Sequence, residues 1–532
     1  MNNASDDLPH RPSTNQIGPI ASAALVIAVI VAILTVWGLA GHSGGGHGDS
    51  EPVASATDGT TDAATATDDH QDHEEADDHT PDTLPPLWYI GILPFIGILG
   101  CIAVLPLLSA THHWWENNLN RFIISMFIAG LTMLYYLLAE GWQSLPYVMN
   151  HAIIQEYIPF IILLFSLYVI SGGIRLSGDL AAHPLTNTTF LAVGAGIASF
   201  IGTTGASMLL IRPLLNTNRE RKHKVHTVVF FIFLASNIGG TLLPVGDPPL
   251  FLGFLAGVPF TWTLGLWPEW LICCIVLLIV YYIIDTRAYK RETPANVRRD
   301  DRNIEPLRLV GWFNLVWLAI LVLVLALIDP TKVVPATNWK PFLFMRELIM
   351  LGIVVIAWGT TRAQIRKDNE FNFAAIIEVA AIFIGIFIAM QVPLEVLKIS
   401  GDTITNTFGE PWHFFWATGI LSSFLDNAPT YLVFLQLAQQ VPITEGMDTV
   451  LIAEGTPKEH FISETHLAAI SLGAVFMGAM SYIGNGPNFM VKAIAEQSGV
   501  KMPSFFGYMF RYSIPILIPL FIVISILVEF VI

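Results

Sequence analysis

Two apolar runs of this chain are broken in the middle by the same kind of pattern, and they lie in opposite halves. The run from Val228 to Val258 contains Gly246-Asp247-Pro248-Pro249, and the run from Leu467 to Ile494 contains Gly484-Asn485-Gly486-Pro487. Gly and Pro unwind a helix. A bilayer admits unwound backbone only where protein encloses it, because a free N–H or C=O in hydrocarbon costs several kcal/mol. Other helices must therefore wrap both breaks. Paired interruptions at corresponding places in two halves mark the binding site of a carrier.

The membrane reading needs long apolar runs, and the composition supplies them. Of 532 residues, 53% are hydrophobic and 13% charged, too apolar for a soluble globular chain. Spans of about 20 residues are expected at 87–110, 121–140, 152–172, 227–257, 265–285, 311–329, 342–361, 373–392, 466–497 and 508–531. The net charge of −16 is local: residues 41–83 hold twelve Asp or Glu and no Lys or Arg, leaving −4 for the rest. No nucleic-acid partner is implied. Cys101, Cys273 and Cys274 all fall in apolar runs and read as small packing residues.

Four regions follow: an N-terminal hydrophobic segment (1–40), a linker (41–85), a first half (86–300) and a second half (301–532). The first reads equally as a signal peptide ending at Gly38-Leu39-Ala40 or as an uncleaved anchor. The linker, rich in Gly, Asp, Thr and Ala, is expected to be disordered. Its His42, His47, His70, His73 and His79 read first as part of a solvated spacer, second as a metal-collecting or pH-sensing tail. His73-Glu74 and His79 lack the spacing of a helical two-histidine zinc site.

Positive charge sets orientation. Arg219, Arg221, Lys222 and Lys224, then Arg287, Lys290, Arg291, Arg298, Arg299 and Arg302, then Arg362, Arg366 and Lys367 form three basic clusters. All three face the cytoplasm only if the stretches 187–215 and 411–440 are re-entrant hairpins. The linker, the loop at 141–151, the loop at 441–465 and the C-terminus then fall outside. Each half reads as three spans, a hairpin, a broken span and a final span, with opposite orientation. The expected fold class is an all-α polytopic membrane protein built of inverted-topology repeats.

The hairpin tips are Gly202-Thr203-Thr204-Gly205-Ala206-Ser207 and Ser422-Ser423-Phe424-Leu425-Asp426-Asn427-Ala428-Pro429-Thr430. Thr203, Thr204, Ser207, Asn427 and Thr430 offer the oxygens that a hard cation such as Na⁺ takes. The bland reading is tight helix packing by small residues. Asp247 and Asp426 are acids at the membrane centre, where a charge costs about 2.5–3.5 kcal/mol and is usually kept for a role. Such a carboxylate can hold Na⁺ or a proton, but not both at full affinity. Asp247 could instead cap its own broken helix. Asn237, Asn485 and Asn488 could supply oxygen ligands or repair freed backbone. Glu378, alone in an apolar helix, is a candidate for a proton path or the partner of an unidentified base. Lys492 could be a fixed counter-charge or could snorkel. An intramembrane aspartyl protease is disfavoured, since Val245-Gly246-Asp247 lacks the Gly-x-Gly-Asp pattern.

These tips, with Ser236-Asn237-Ile238-Gly239-Gly240 and Gly246-Asp247-Pro248-Pro249, resemble the ion-transporter superfamily over roughly residues 87–531. The pattern is similar in particular to the D-type Na⁺/H⁺ antiporters, related to arsenite permeases, citrate transporters and sodium-coupled dicarboxylate carriers. The resemblance implies a homodimer with elevator-like movement. It also implies one ion site between the first tip and 246–249, and another between the second tip and 484–487. The tips depart from the Ser-Asn-Thr type of the dicarboxylate carriers, and an acid at a tip should repel a dianion. The expectation is a Na⁺(Li⁺)/H⁺ antiporter of a bacterial-type inner membrane, with transported Na⁺ and H⁺, no cofactor and no catalytic residues. The alternative is a Na⁺- or H⁺-coupled carrier of citrate, dicarboxylate or arsenite type.

Overall fold

The computed structural model describes residues 84–530, apart from positions 107, 109, 303, 331, 333–338 and 454–459. The N-terminal segment 1–40 and the linker as far as residue 83 lie outside the described residues. The described body is an all-α polytopic membrane protein. Six of its described helices are long and apolar enough to cross a bilayer, and shorter apolar helices accompany them.

Helices α1 (Trp88–Val104), α2 (Asn118–Ala139) and α3 (Ser144–Ser171) precede a hairpin of α4 (Pro184–Ile201) and α5 (Thr203–Thr217). A broken pair follows, α6 (Val225–Gly240) and α7 (Pro248–Leu255), and then α8 (Trp262–Tyr289). The same order then runs again. It comprises α9 (Phe313–Leu327), α10 (Met345–Thr360), α11 (Ala374–Thr405), a hairpin of α12 (Pro411–Phe424) and α13 (Asn427–Ala438), a broken pair α14 (Glu464–Met480) and α15 (Gly486–Gln497), and α16 (Phe505–Val528). At 14 and 12 residues, α12 and α13 span about 21 and 18 Å. Neither arm alone crosses about 30 Å of hydrocarbon, and the two arms lie against each other, so the chain turns back at Leu425-Asp426.

Three details differ from the sequence expectation. The stretch 141–151 is not all loop: α3 starts at Ser144 and runs through a π-helical turn at Asn150–Tyr157. The polar Ser144, Asn150 and His151 hide its first turns from a hydropathy count. Likewise α11 continues to Thr405, because past Val392 its apolar stripe narrows to one face while the helix persists. Two short antiparallel ribbons also appear. β1 (Arg175–Asp179) pairs with β2 (Glu305–Val310), Arg175 opposite Val310, and β3 (Thr449–Ile452) pairs with β4 (His460–Ser463). Strands this short show no alternation, and β1 finds its partner more than a hundred residues away.

The two broken pairs run through the middle of the body. Residues His226–Leu234 of α6 and His466–Met477 of α14 are all buried, without a lipid-facing side. The packing around them is reciprocal. Helix α7 lies on α13 and α15 lies on α5, while α2 lies on α11 and α10 on α3. Close approach sets the breaks: a Cβ on Gly246 would sit 2.1 Å from the Gly240 carbonyl oxygen, and one on Gly484 2.6 Å from that of Gly478. Only glycine permits either contact. At the open end of the first hairpin, Asp285 of α8 binds Arg221 at 2.6 Å and His226 at 2.7 Å. Asn187 of α4 and Asn218 exchange amide hydrogen bonds of 2.9 and 2.8 Å there.

Candidate functional site

Gly202 turns the first hairpin with φ +77°, a left-handed backbone that L side chains rarely adopt. That turn lets the Thr203 N–H donate to the Gly246 carbonyl at 2.8 Å, pinning the tip against the first break. Beyond the tip, the carbonyls freed by unwinding are met by serines. Ser199 Oγ donates to Gly239 at 2.6 Å, and Ser423 Oγ donates to Met477 at 3.2 Å. Ser199 lies outside the tip motifs read from the sequence and Ser423 inside one but with no role assigned, though each stands three residues before the residue that turns its hairpin.

Asp247 is the meeting point. Only 1% exposed, its Oδ1 accepts from Thr203 Oγ1 and from Asn485 Nδ2, both at 2.9 Å. Its Oδ2 accepts from Asn427 Nδ2 at 2.7 Å. One carboxylate thus receives a donor from the first tip, one from the second tip and one from the second break. Asn237 extends the network, donating to Asn488 Oδ1 at 2.7 Å, and Asn488 donates in turn to the carbonyls of Gly478 and Ser481. The buried Asn427 Oδ1 has no hydrogen-bond partner among the described residues.

Self-capping, one reading for Asp247, belongs instead to Asp426. Asp247 makes no side-chain cap on α7, whereas Asp426 Oδ1 accepts from the Ala428 N–H at 3.0 Å. Thr430 Oγ1 donates to the Asp426 carbonyl. Ser207 pairs with Ser236 at 2.8 Å, away from the carboxylate. Lys492 binds Glu496 at 3.3 Å and lies over the Tyr482 ring, so no fixed counter-charge to Asp247 comes from it.

Thr203, Thr204, Asp247, Asp426 and Asn485 open onto one cavity of about 550 Å³. Glu378 lines it too, and its unidentified base is Arg121 of α2, at 2.8 Å. The pairing was invisible in sequence because the two residues lie in different halves. Arg212 and Glu370, also on the wall, pair at 2.9 Å. The cavity therefore carries four carboxylates against two guanidiniums, each guanidinium already matched by a carboxylate. Such a wall, with its carboxylates in excess, favours cations over anions.

Two uncharacterized transporters, of Mycobacterium bovis and Mycobacterium tuberculosis, are each 25% identical to this chain over 356 residues, covering 64% of it and 78% of the relative. Residues 84–529 match a family described as "Putative citrate transport", which takes in both halves, both hairpins and both breaks. That match extends over nearly the entire described body, and the protein belongs to this citrate-transport family of multi-pass membrane transporters.

Proposed function

We propose that this protein is a secondary transporter that exchanges Na⁺ or Li⁺ for protons by alternating access. The observation that carries the reading is the buried Asp247 carboxylate, reached by side chains from both hairpin tips and the second break. A proton and a Na⁺ compete for such a group, and that competition is the least machinery exchange requires. The excess of carboxylates in the cavity favours a cation over a di- or trianion. Reciprocal packing of α7 on α13 and α15 on α5 supports reading the halves as inverted repeats that rock about a central site. The homodimer, the elevator-like movement and the external side of the linker belong to the same proposal.

The family description favours a second reading, a citrate carrier coupled to Na⁺ or H⁺. Asp247 and Asp426 would then serve the coupling ion, and the tip hydroxyls and amides would hold the anion. Everted vesicles from cells lacking their own antiporters separate the two. Vesicles with an acidified lumen receive Na⁺, Li⁺, K⁺, citrate or arsenite in turn. Lumen alkalinisation on Na⁺ or Li⁺ supports the exchanger. Accumulation of labelled citrate with no cation-evoked proton movement overturns it.

A further inference from the structure

A second cavity, of about 520 Å³, lies between β1, the second arm α5 of the first hairpin and the segment that follows α15. That volume is in the range of small-molecule sites, roughly 300–1,000 Å³. Four cationic side chains and two carboxylates stand on its wall, where the central wall has two and four. Arg175, Arg212, Arg219 and Lys224 line it, against the carboxylates of Asp368 and Glu305. Arg175 is bound to Asp368, Arg219 to Glu220 at 3.4 Å and Arg212 to Glu370 at 2.9 Å. Each of these contacts engages one terminal nitrogen, so each fork keeps donors to spend. Lys224 Nζ donates to the carbonyls of Asn218 and Arg219, at 3.0 and 3.1 Å.

We propose that this cavity is a binding site for a phosphate-bearing anion, separate from the transport path. Arginine forks match phosphate oxygens two at a time, and lysine adds a point charge. The basic segment 219–224 is one the positive-inside rule assigns to the cytoplasm, where phosphorylated metabolites and anionic lipid headgroups are both available. Arg212, Met208 and Asn369 line both cavities, so an occupant of this one sits a single side chain from the central site. An anion that engages Arg212 competes with Glu370, which stands just before α11. Occupancy would thereby alter how the hairpin is held against that helix.

The test uses the full chain in nanodiscs of neutral phosphatidylcholine. Thermal stability and equilibrium binding are followed with inorganic phosphate and pyrophosphate, with chloride at matched ionic strength as control. A parallel series replaces part of the neutral lipid with phosphatidylglycerol or cardiolipin. Saturable stabilisation by the soluble probes identifies a free phosphate ligand, and stabilisation by the anionic lipids alone identifies a headgroup. Arg219→Gln with Lys224→Gln should weaken whichever is bound by about tenfold or more. Asp368→Asn, which removes a negative wall group and frees the Arg175 fork, should tighten it, an effect misfolding does not imitate. The proposal fails if neither source stabilises the protein beyond chloride, or if the affinity is unchanged in both variants.

Discussion

Removing the charge of Asp247 without its shape separates the transport role proposed for this residue from its structural one. In Asp247→Asn, the introduced amide oxygen can still accept from Thr203 and Asn485. Its NH₂ meets Asn427 Nδ2, 2.7 Å from the native oxygen, donor against donor. Asn427 can turn its amide over, because its Oδ1 has no partner to lose among the described residues. Three hydrogen bonds to a charged group, about 1.5–3 kcal/mol each, become neutral ones of about 0.5–1.5, a loss of roughly 3–4.5 kcal/mol, offset by relief of the several kcal/mol that burying the charge costs. Asp247→Ala instead strands three donors, at about 1–3 kcal/mol each, for roughly 3–9 kcal/mol before relaxation. The melting temperature of purified protein should therefore stay close to wild type in the Asn variant and fall clearly in the Ala variant. Na⁺-evoked proton movement in vesicles should fall by roughly 10- to 150-fold in the Asn variant, the worth of one charged contact. Full exchange by well-expressed Asp247→Asn would refute the assigned coupling role. An Ala variant as stable as wild type would refute the hydrogen-bond geometry itself.

The breaks give a paired test. Gly246→Ala drives a Cβ onto the Gly240 carbonyl and should abolish folded protein on size-exclusion chromatography, whereas Gly486→Ala, with open space around its Cβ, should be recovered normally. Glu378→Gln leaves the Arg121 guanidinium, buried on its side chain, without its carboxylate and should cost about 1–3 kcal/mol, discounted from a fully buried pair because Glu378 is 37% exposed. Adding Arg121→Gln should restore most of the melting temperature. If Glu378 also conducts protons, the double variant stays slow in flux assays. Asp179, on the β1 ribbon outside the spans, has its carboxyl pushed up to about 6, first by burial and then by Glu220 and Asp300. Its folded value lies above the unfolded one of about 3.9, so the protonated form stabilises the fold at low pH and that contribution is lost as pH rises from about 4 to 6. Asp179→Asn should raise the melting temperature at pH 7 and flatten its fall across that window.

Much of this architecture is written along the chain. The bilayer forces every backbone group to be satisfied, so runs of apolar residues read as helices, and Gly-Asp-Pro-Pro and Gly-Asn-Gly-Pro read as breaks, with no knowledge of neighbours. The same constraint made Thr203, Asp247, Asn427 and Asn485 candidates, since polar groups at those depths need partners. What the chain cannot encode locally is which partner each one meets. Asp247 and Asn427 lie 180 residues apart, and only the packing of α7 on α13 brings them to hydrogen-bond distance. The same holds for the Arg121–Glu378 pair, for β1 finding β2, and for Asp247 becoming the shared buried acceptor, whereas the Asp426 cap, made two residues along, is local. Helix positions follow from local hydropathy, which acts on each segment by itself. The charge and donor pattern of the site follows from contacts between halves, and those exist only once the helices have packed.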